Sequence, residues 1–414
     1  MSTAPRSLRA LPVLVAGLQF VYLLDCLAVL PLTPDLVRAL GLPADRMPWL
    51  AAAYSAAAVV AGALGARWLD RWPRRTVLLI ALAAFAAATA ATAACSTMPQ
   101  LLLTRAAAGL AGGPMIAIAM ALVADSVPPA QRGRAMGRIM LGLPMAAIAG
   151  VPLALEAARH LGWQAPFLMV AGLAALLLAG AWACLPREAR QRADRDETAP
   201  HAGLRSLLAQ AAVRRALALQ AGAQFCAFLL IPNFSTFFVL NLGVPREDLG
   251  LLYFAGGLAA LVAMRASGRL TDSRGALLPL GLATVAITLG CLPLLGWQVG
   301  PPALMFVLFM AGNAARNVAL SATASQAPAP HQRGRYMALQ GLLQDTAITA
   351  ATLLSGLLLD SAADGRLIGM PTVAALSITT AVGLAPLLVA LRRELSSTDP
   401  ARAAEAPGNP ARQA

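Results

Sequence analysis

The chain is divided into about twelve apolar runs of about 20 residues each, separated by short polar stretches. A run of that length crosses a hydrocarbon core of ~30 Å as an α-helix rising about 1.5 Å per residue. Inside lipid the backbone has no water to bond, and a helix satisfies its amides within the segment itself. Composition agrees. Of 414 residues, 58% are hydrophobic and 12% charged, with a mean hydropathy of +0.68, whereas a soluble domain carries roughly a quarter charged residues. The pattern predicts an all-α integral membrane protein. Its spans fall near residues 11–33, 47–66, 76–95, 100–124, 138–158, 165–185, 213–240, 248–266, 277–296, 302–325, 337–359 and 370–391.

Every one of the 32 basic residues is Arg; there is no Lys. A Walker A loop needs Lys to reach the β- and γ-phosphates, so the chain by itself is no ATP-driven pump. A Schiff-base lysine is equally excluded. An Ala-rich, Lys-free chain of this kind fits a GC-rich bacterial genome. The net charge of +13 would suit nucleic acid if the Arg residues formed one patch, but their places along the chain point elsewhere. With the N-terminus inside, twenty-five fall in inner segments, and only Arg38, Arg46, Arg159, Arg246 and Arg366 fall outside. Arg105 and Arg316 lie within spans. The positive-inside rule therefore places both termini in the cytoplasm of a bacterial cell inner membrane, and the basic balance belongs to topology. The first run, Leu11 to Leu30, lacks a small-residue cleavage site and reads as a retained helix. Cys26, Cys95, Cys184, Cys226 and Cys291 show no CxxC spacing, and His160, His201 and His331 sit at run boundaries. No disulfide framework, metal site or cofactor is expected. An enzyme is disfavoured too, because no His, Cys or acidic cluster has nucleophile or ligand spacing.

The longest polar interruption, around residues 186–212, splits the chain into an N-terminal six-helix bundle (1–186), a central linker (187–212), a C-terminal six-helix bundle (213–392) and a disordered tail (393–414). The halves repeat each other. Asp70 after the second span recurs as Asp272 after the eighth, 202 residues on. Gln131-Arg132-Gly133-Arg134 after the fourth span recurs as Gln332-Arg333-Gly334-Arg335 after the tenth, 201 residues on. Two polar motifs at one offset in matching loops indicate duplication.

These motifs resemble those of the major facilitator superfamily over essentially the whole chain. The family's loop signature between spans 2 and 3 is matched by Ala66-Arg67-Trp68-Leu69-Asp70-Arg71-Trp72-Pro73-Arg74-Arg75, with both glycines replaced. The second-half copy, Gly268-Arg269-Leu270-Thr271-Asp272-Ser273-Arg274-Gly275, matches it more fully. Span 4 carries the family pattern as Leu101, Arg105, Gly109 and Gly112, with Ala108 at the usual Gln. Leu24-Asp25 with Pro31, Thr33 and Pro34 is similar to span 1 of proton-coupled efflux members. Gly150-Val151-Pro152, Gly162-Trp163-Gln164 and Phe167 are similar to spans 5 and 6 of drug and metabolite exporters. The resemblance implies two pseudo-symmetric six-helix bundles rocking about a central cavity. It also implies a cytoplasmic gate in which Asp70 and Asp272 pair with Arg71, Arg74, Arg75, Arg274, Arg333 and Arg335 and with helix N-termini. Asp125, beside Arg132 and Arg134, belongs to the same gate.

Ionisable groups at membrane depth are costly and mark function. Asp25 and Arg105 lie about 12 Å and 8 Å below the outer face, and Arg316 and Asp345 about 12–14 Å from the inner face. Asp25 is therefore expected to carry the proton, with Arg105, matching the family's span 4 arginine, modulating it. Asp345 and Arg316 form a second expected pair, with Asn313, Asn317 and Gln344 near in sequence, and Glu156 lines the outer end of span 5. Spans 1, 4, 7 and 10 line the cavity in this fold, which nominates Gln19, Tyr22, Gln220, Gln224, Phe228, Asn233 and Asn313 as substrate contacts. Gly109, Gly112 and Gly113 read as a close-packing surface.

The leading expectation is a proton-coupled antiporter exporting a drug, sugar-like metabolite or siderophore. The alternatives are a symporter importing a nutrient and a non-transporting receptor or scaffold, for which Asp25 and Arg105 would serve no purpose. Expected partners are a small-molecule substrate, protons and the bilayer, with no nucleic acid, and the fold works as a monomer.

Overall fold

The computed structural model describes residues 6–68, 72–126, 139, 142–185, 204–297, 300–329, 332–362 and 365–397. Its helices are α1 (Arg6–Ala28), α2 (Thr33–Leu40), α3 (Pro48–Trp68), α4 (Arg74–Thr92), α5 (Met98–Ser126), α6 (Gly142–Met145), α7 (Val151–Leu161), α8 (Ala165–Cys184), α9 (Leu204–Ala209), α10 (Ala211–Leu230), α11 (Phe234–Leu240), α12 (Leu249–Arg274), α13 (Leu277–Gly290), α14 (Pro302–Ala324), α15 (Arg333–Leu358) and α16 (Met370–Ser397). Among the described residues, ten segments are long and apolar enough to cross a membrane. The shorter α6–α7 and α13 supply counterparts for spans 5 and 9. Large apolar side chains such as Val13, Leu103, Leu176, Leu251 and Val262 are exposed, as a lipid-facing surface requires.

Several boundaries differ from the sequence expectation for identifiable reasons. Span 1 is broken after Ala28, where Pro31 offers no amide and Pro34 starts α2. Gly41, at φ 62°, ends α2 in the left-handed region. Span 7 breaks likewise at Ile231–Asn233, a 3₁₀ turn containing Pro232. Span 5 contains a π-helical turn, Ala146–Gly150, between α6 and α7. Span 8 runs on to Arg274, so Asp272 stands in the last turns of α12 and not in a loop. Two-residue strands, Asp360–Ser361 and Leu367–Ile368, pair antiparallel between α15 and α16 and are the only strands among the described residues.

The chain packs as two compact units whose boundaries cross the sequence halves. The first comprises Met1–Arg195, Phe228–Leu258 and Ile348–Val373; the second comprises Asp196–Ala227, Ala259–Ala347 and Ala374–Ala414. In the first unit, α5 packs against α3, α4 and α1, and α8 against α4 and α1, over a core including Leu18, Val21, Leu24, Phe85 and Met115. At Gly109 a β-carbon would lie 2.1 Å from the Tyr54 carbonyl oxygen, so only glycine lets α3 and α5 approach this closely. The second unit uses the same device. α13 packs on α14, and a β-carbon at Gly312 would lie 2.8 Å from the Ala283 carbonyl oxygen. Its core includes Leu217, Ala223, Leu280, Leu320 and Leu388.

Candidate functional site

Asp25 sits in the last turn of α1 and Arg105 two turns into α5, each 1% exposed. The close packing of α1, α4 and α5 brings them together. The Arg105 Nη1 group donates to both carboxylate oxygens of Asp25 at 3.0 Å. Two α4 hydroxyls complete the shell: Thr89 donates to Asp25 Oδ1 at 3.2 Å, and Thr92 accepts from Arg105 Nη2 at 2.6 Å. The guanidinium carbon stands 5.2 Å from the centroid of the Phe167 ring, a cation–π contact, and Trp163 meets Phe167 edge-on. Arg105 Nε alone of the guanidinium nitrogens lacks an acceptor. The pair is thus dry, mutually neutralising and held on three sides. Removing either charge would leave the other buried and uncompensated, so each depends on its partner. Thr89 and Thr92 were not anticipated.

In the second unit Arg316 is fully buried, but Asp345 is not among its partners. Its Nη1 donates to Cys226 Sγ at 2.9 Å, and its Nη2 donates to the Ala223 carbonyl at 2.7 Å and to Asn313 Oδ1. The expected Arg316–Asp345 pairing is therefore replaced by neutral acceptors, while Asp345 is half-buried on α15. Cys226 follows Asp25 by 201 residues, the offset of the duplicated motifs. Each stands eight residues before the short helix that follows a break, α2 or α11. The first copy has a carboxylate beside its arginine; the second has a thiol.

The remaining nominated residues divide. Tyr22 is half-buried with its ring 5.9 Å from that of Tyr54, and Gln19 packs beside Gly142. Gln220 donates to Ser321 at 3.0 Å and accepts from Gln344, an interhelical polar ladder. Asn233 is buried in the α10–α11 break, donating to the Leu229 carbonyl and to Ser355, so it holds helices together. Gln224 and Phe228 are half-buried on α10. Glu156 is exposed midway along α7 and pairs with His160 and Arg159 of the same helix. Asp272, Arg274, Arg333 and Arg335 are exposed at the ends of α12 and α15. Arg74 and Arg75 begin α4, and Arg75 donates to the Trp182 carbonyl at 2.7 Å. Asp70, Arg71, Arg132 and Arg134 lie outside the described residues, and Asp125 stands in the last turn of α5.

One constellation went unanticipated. At the far face, where α1 ends, the first unit ties segments of both sequence halves together. Asp35 on α2 accepts from Arg246 Nε at 2.7 and 2.8 Å and also from Arg246 Nη2, and Thr33 and Thr236 share a hydrogen bond of 2.7 Å. Ser361 donates to Asp45, and Thr349 donates to Ser55 at 2.8 Å.

A model of the Major Facilitator Superfamily matches residues 15–352. The chain is 30% identical over 325 residues to the chloramphenicol resistance protein of Streptomyces lividans, covering 74% of this chain and 78% of that protein. It is 25% identical over 156 residues to the inner membrane transport protein YdhP of Escherichia coli strain K12, 38% of this chain and 40% of that one. Among solved structures, a D-xylose-proton symporter superposes with a TM-score of 0.71 at 16% identity, over 91% of this chain and 96% of that one.

Proposed function

The chain belongs to the major facilitator superfamily of membrane transporters, and from that premise we propose that it is a proton-coupled antiporter that exports a small organic molecule across a bacterial inner membrane by alternating access. The observation that carries this reading is the Asp25–Arg105 pair. Two opposite charges, each 1% exposed, are held at membrane depth by hydroxyls and an aromatic face. A static scaffold gains nothing from such a pair, whereas a carrier gains a group that exchanges a proton when water reaches it. Export is favoured because the similar protein of S. lividans is named for chloramphenicol resistance, which makes a neutral, drug-like aromatic the substrate to try first. The same reading places both termini in the cytoplasm and makes the far face periplasmic. It assigns the basic and acidic residues at the ends of α4, α12 and α15 to the opposite gate, and it takes the duplicated six-helix halves, 1–186 and 213–392, as the bodies that rock.

Everted vesicles energised by respiration test it. A pH-sensitive dye follows the gradient as chloramphenicol is added to wild type and to Asp25→Asn. The expected result is gradient dissipation in wild type and none in the variant. Equal dissipation in both would remove Asp25 from the coupling path. Chloramphenicol uptake driven by, and running with, the proton gradient would replace export by import.

A further inference from the structure

Where α3 packs on α5, the buried polar atoms with nothing to bond include the Tyr54 hydroxyl. Tyr54 is 4% exposed, and its buried hydroxyl has no hydrogen-bond partner among the described residues. Burying a hydroxyl without a partner is unfavourable, more so at membrane depth where no bulk water stands in. A phenylalanine would fill the same space without that cost. The neighbours explain why the hydroxyl is unbonded. Asp25 and Arg105 lie within electrostatic reach of it, but they already bond each other, Thr89 and Thr92. On its other side the phenol faces Gly112, where a β-carbon would stand 3.2 Å from the hydroxyl and 2.7 Å from the Tyr22 ring. The rings of Tyr22 and Tyr54 are tilted at 42° across that glycine, and Tyr22 is half-buried.

We propose that the Tyr54 hydroxyl is the hydrogen-bonding handle for the transported molecule, with the Tyr22 and Tyr54 rings as the apolar wall against which its flat part packs. The ligand class follows from the surroundings. The formal charges beside the phenol, Asp25 and Arg105, cancel, so the wall suits a neutral molecule. The aromatic pair selects a flat or aromatic portion, and the phenol selects an oxygen such as a carbonyl, nitro or hydroxyl group. This deepens the export reading and rests on it.

The test compares the purified full-length wild type with Tyr54→Phe and Gly112→Ala, using chloramphenicol as the probe. Thermal unfolding in detergent comes first. Because the deleted hydroxyl has no structural partner, Tyr54→Phe should unfold at the wild-type temperature or above it. A lower temperature, or failure to fold, would overturn the proposal by revealing a partner. Equilibrium binding of radiolabelled chloramphenicol should then weaken about tenfold in Tyr54→Phe, and also weaken in Gly112→Ala, whose new methyl displaces the aromatic pair. Equal affinity in wild type and Tyr54→Phe would overturn this inference alone. A wild type that binds no chloramphenicol would overturn both the substrate choice of the export reading and the inference built on it.

Discussion

Asp25 and Arg105 take the place that water would occupy around each of them. Deleting one member of such a pair strands the other as a buried charge, which costs about 3–5 kcal/mol. Arg105→Gln is therefore expected to lower the unfolding free energy by that order, and the double variant Asp25→Asn/Arg105→Gln to recover most of it. Thermal and denaturant unfolding in micelles, read as a double-mutant cycle, measures the coupling; additive losses would show that the two charges do not depend on each other. Thr92→Val removes an acceptor from a buried guanidinium and should cost about 1–3 kcal/mol by the same measurement. The pair was legible in the sequence because an ionisable residue stands out in an apolar run. Its threonines were not, since a threonine barely alters hydropathy, and in a span apolar all round nothing marks which face turns inward. The Arg316–Asp345 expectation failed for a related reason. Counting residues gives depth along the membrane normal and says nothing of lateral position, and α10 supplies Cys226 and the Ala223 carbonyl at that depth.

Among elements, the short helices α2 and α11 owe their existence to prolines that interrupt apolar runs. Hydropathy reads straight through Pro31, Pro34 and Pro232, which is why two continuous spans were expected where there are breaks. The breaks aim α2 at α11, and Thr33 meets Thr236 there while Asp35 meets Arg246. Both members of this ion pair are mostly shielded, with side chains 16% and 21% exposed, so it is worth more than a solvated surface pair. Asp35→Asn is expected to open the far face, raising the labelling rate of a cysteine placed at Thr236 by a membrane-impermeant maleimide about 5–10-fold in a cysteine-free background. The exchanged pair Asp35→Arg/Arg246→Asp should restore slow labelling. An unchanged rate in Asp35→Asn would mean that contacts other than this ion pair keep this face shut.

Across the whole molecule, duplication accounts for most of what was legible: twelve spans, paired loop motifs and an arginine inside an apolar run in each half. Where the copies diverge, sequence alone could not say what replaced what, and superposing the element pattern supplies the answer, with Cys226 standing where the first copy has Asp25. If that correspondence is physical, Cys226→Asp installs a second buried ion pair with Arg316. Its stability should stay within about 1 kcal/mol of wild type, while Asp25→Cys loses several, because it strands Arg105. Unfolding temperatures of the two variants decide this. A collapse of Cys226→Asp would show that the second half has no room for a carboxylate.

The first unit has three chain segments, the last ending at Val373. That fixes an order of events during synthesis. Residues 25 and 105 are both in place once α5 has left the ribosome, so the buried charges can neutralise each other early. The partners of Thr33, Asp35 and Asp45, which are Thr236, Arg246 and Ser361, arrive only after more than half of the chain has been made. Until then this end of the first unit lacks the contacts that tie it together in the finished chain.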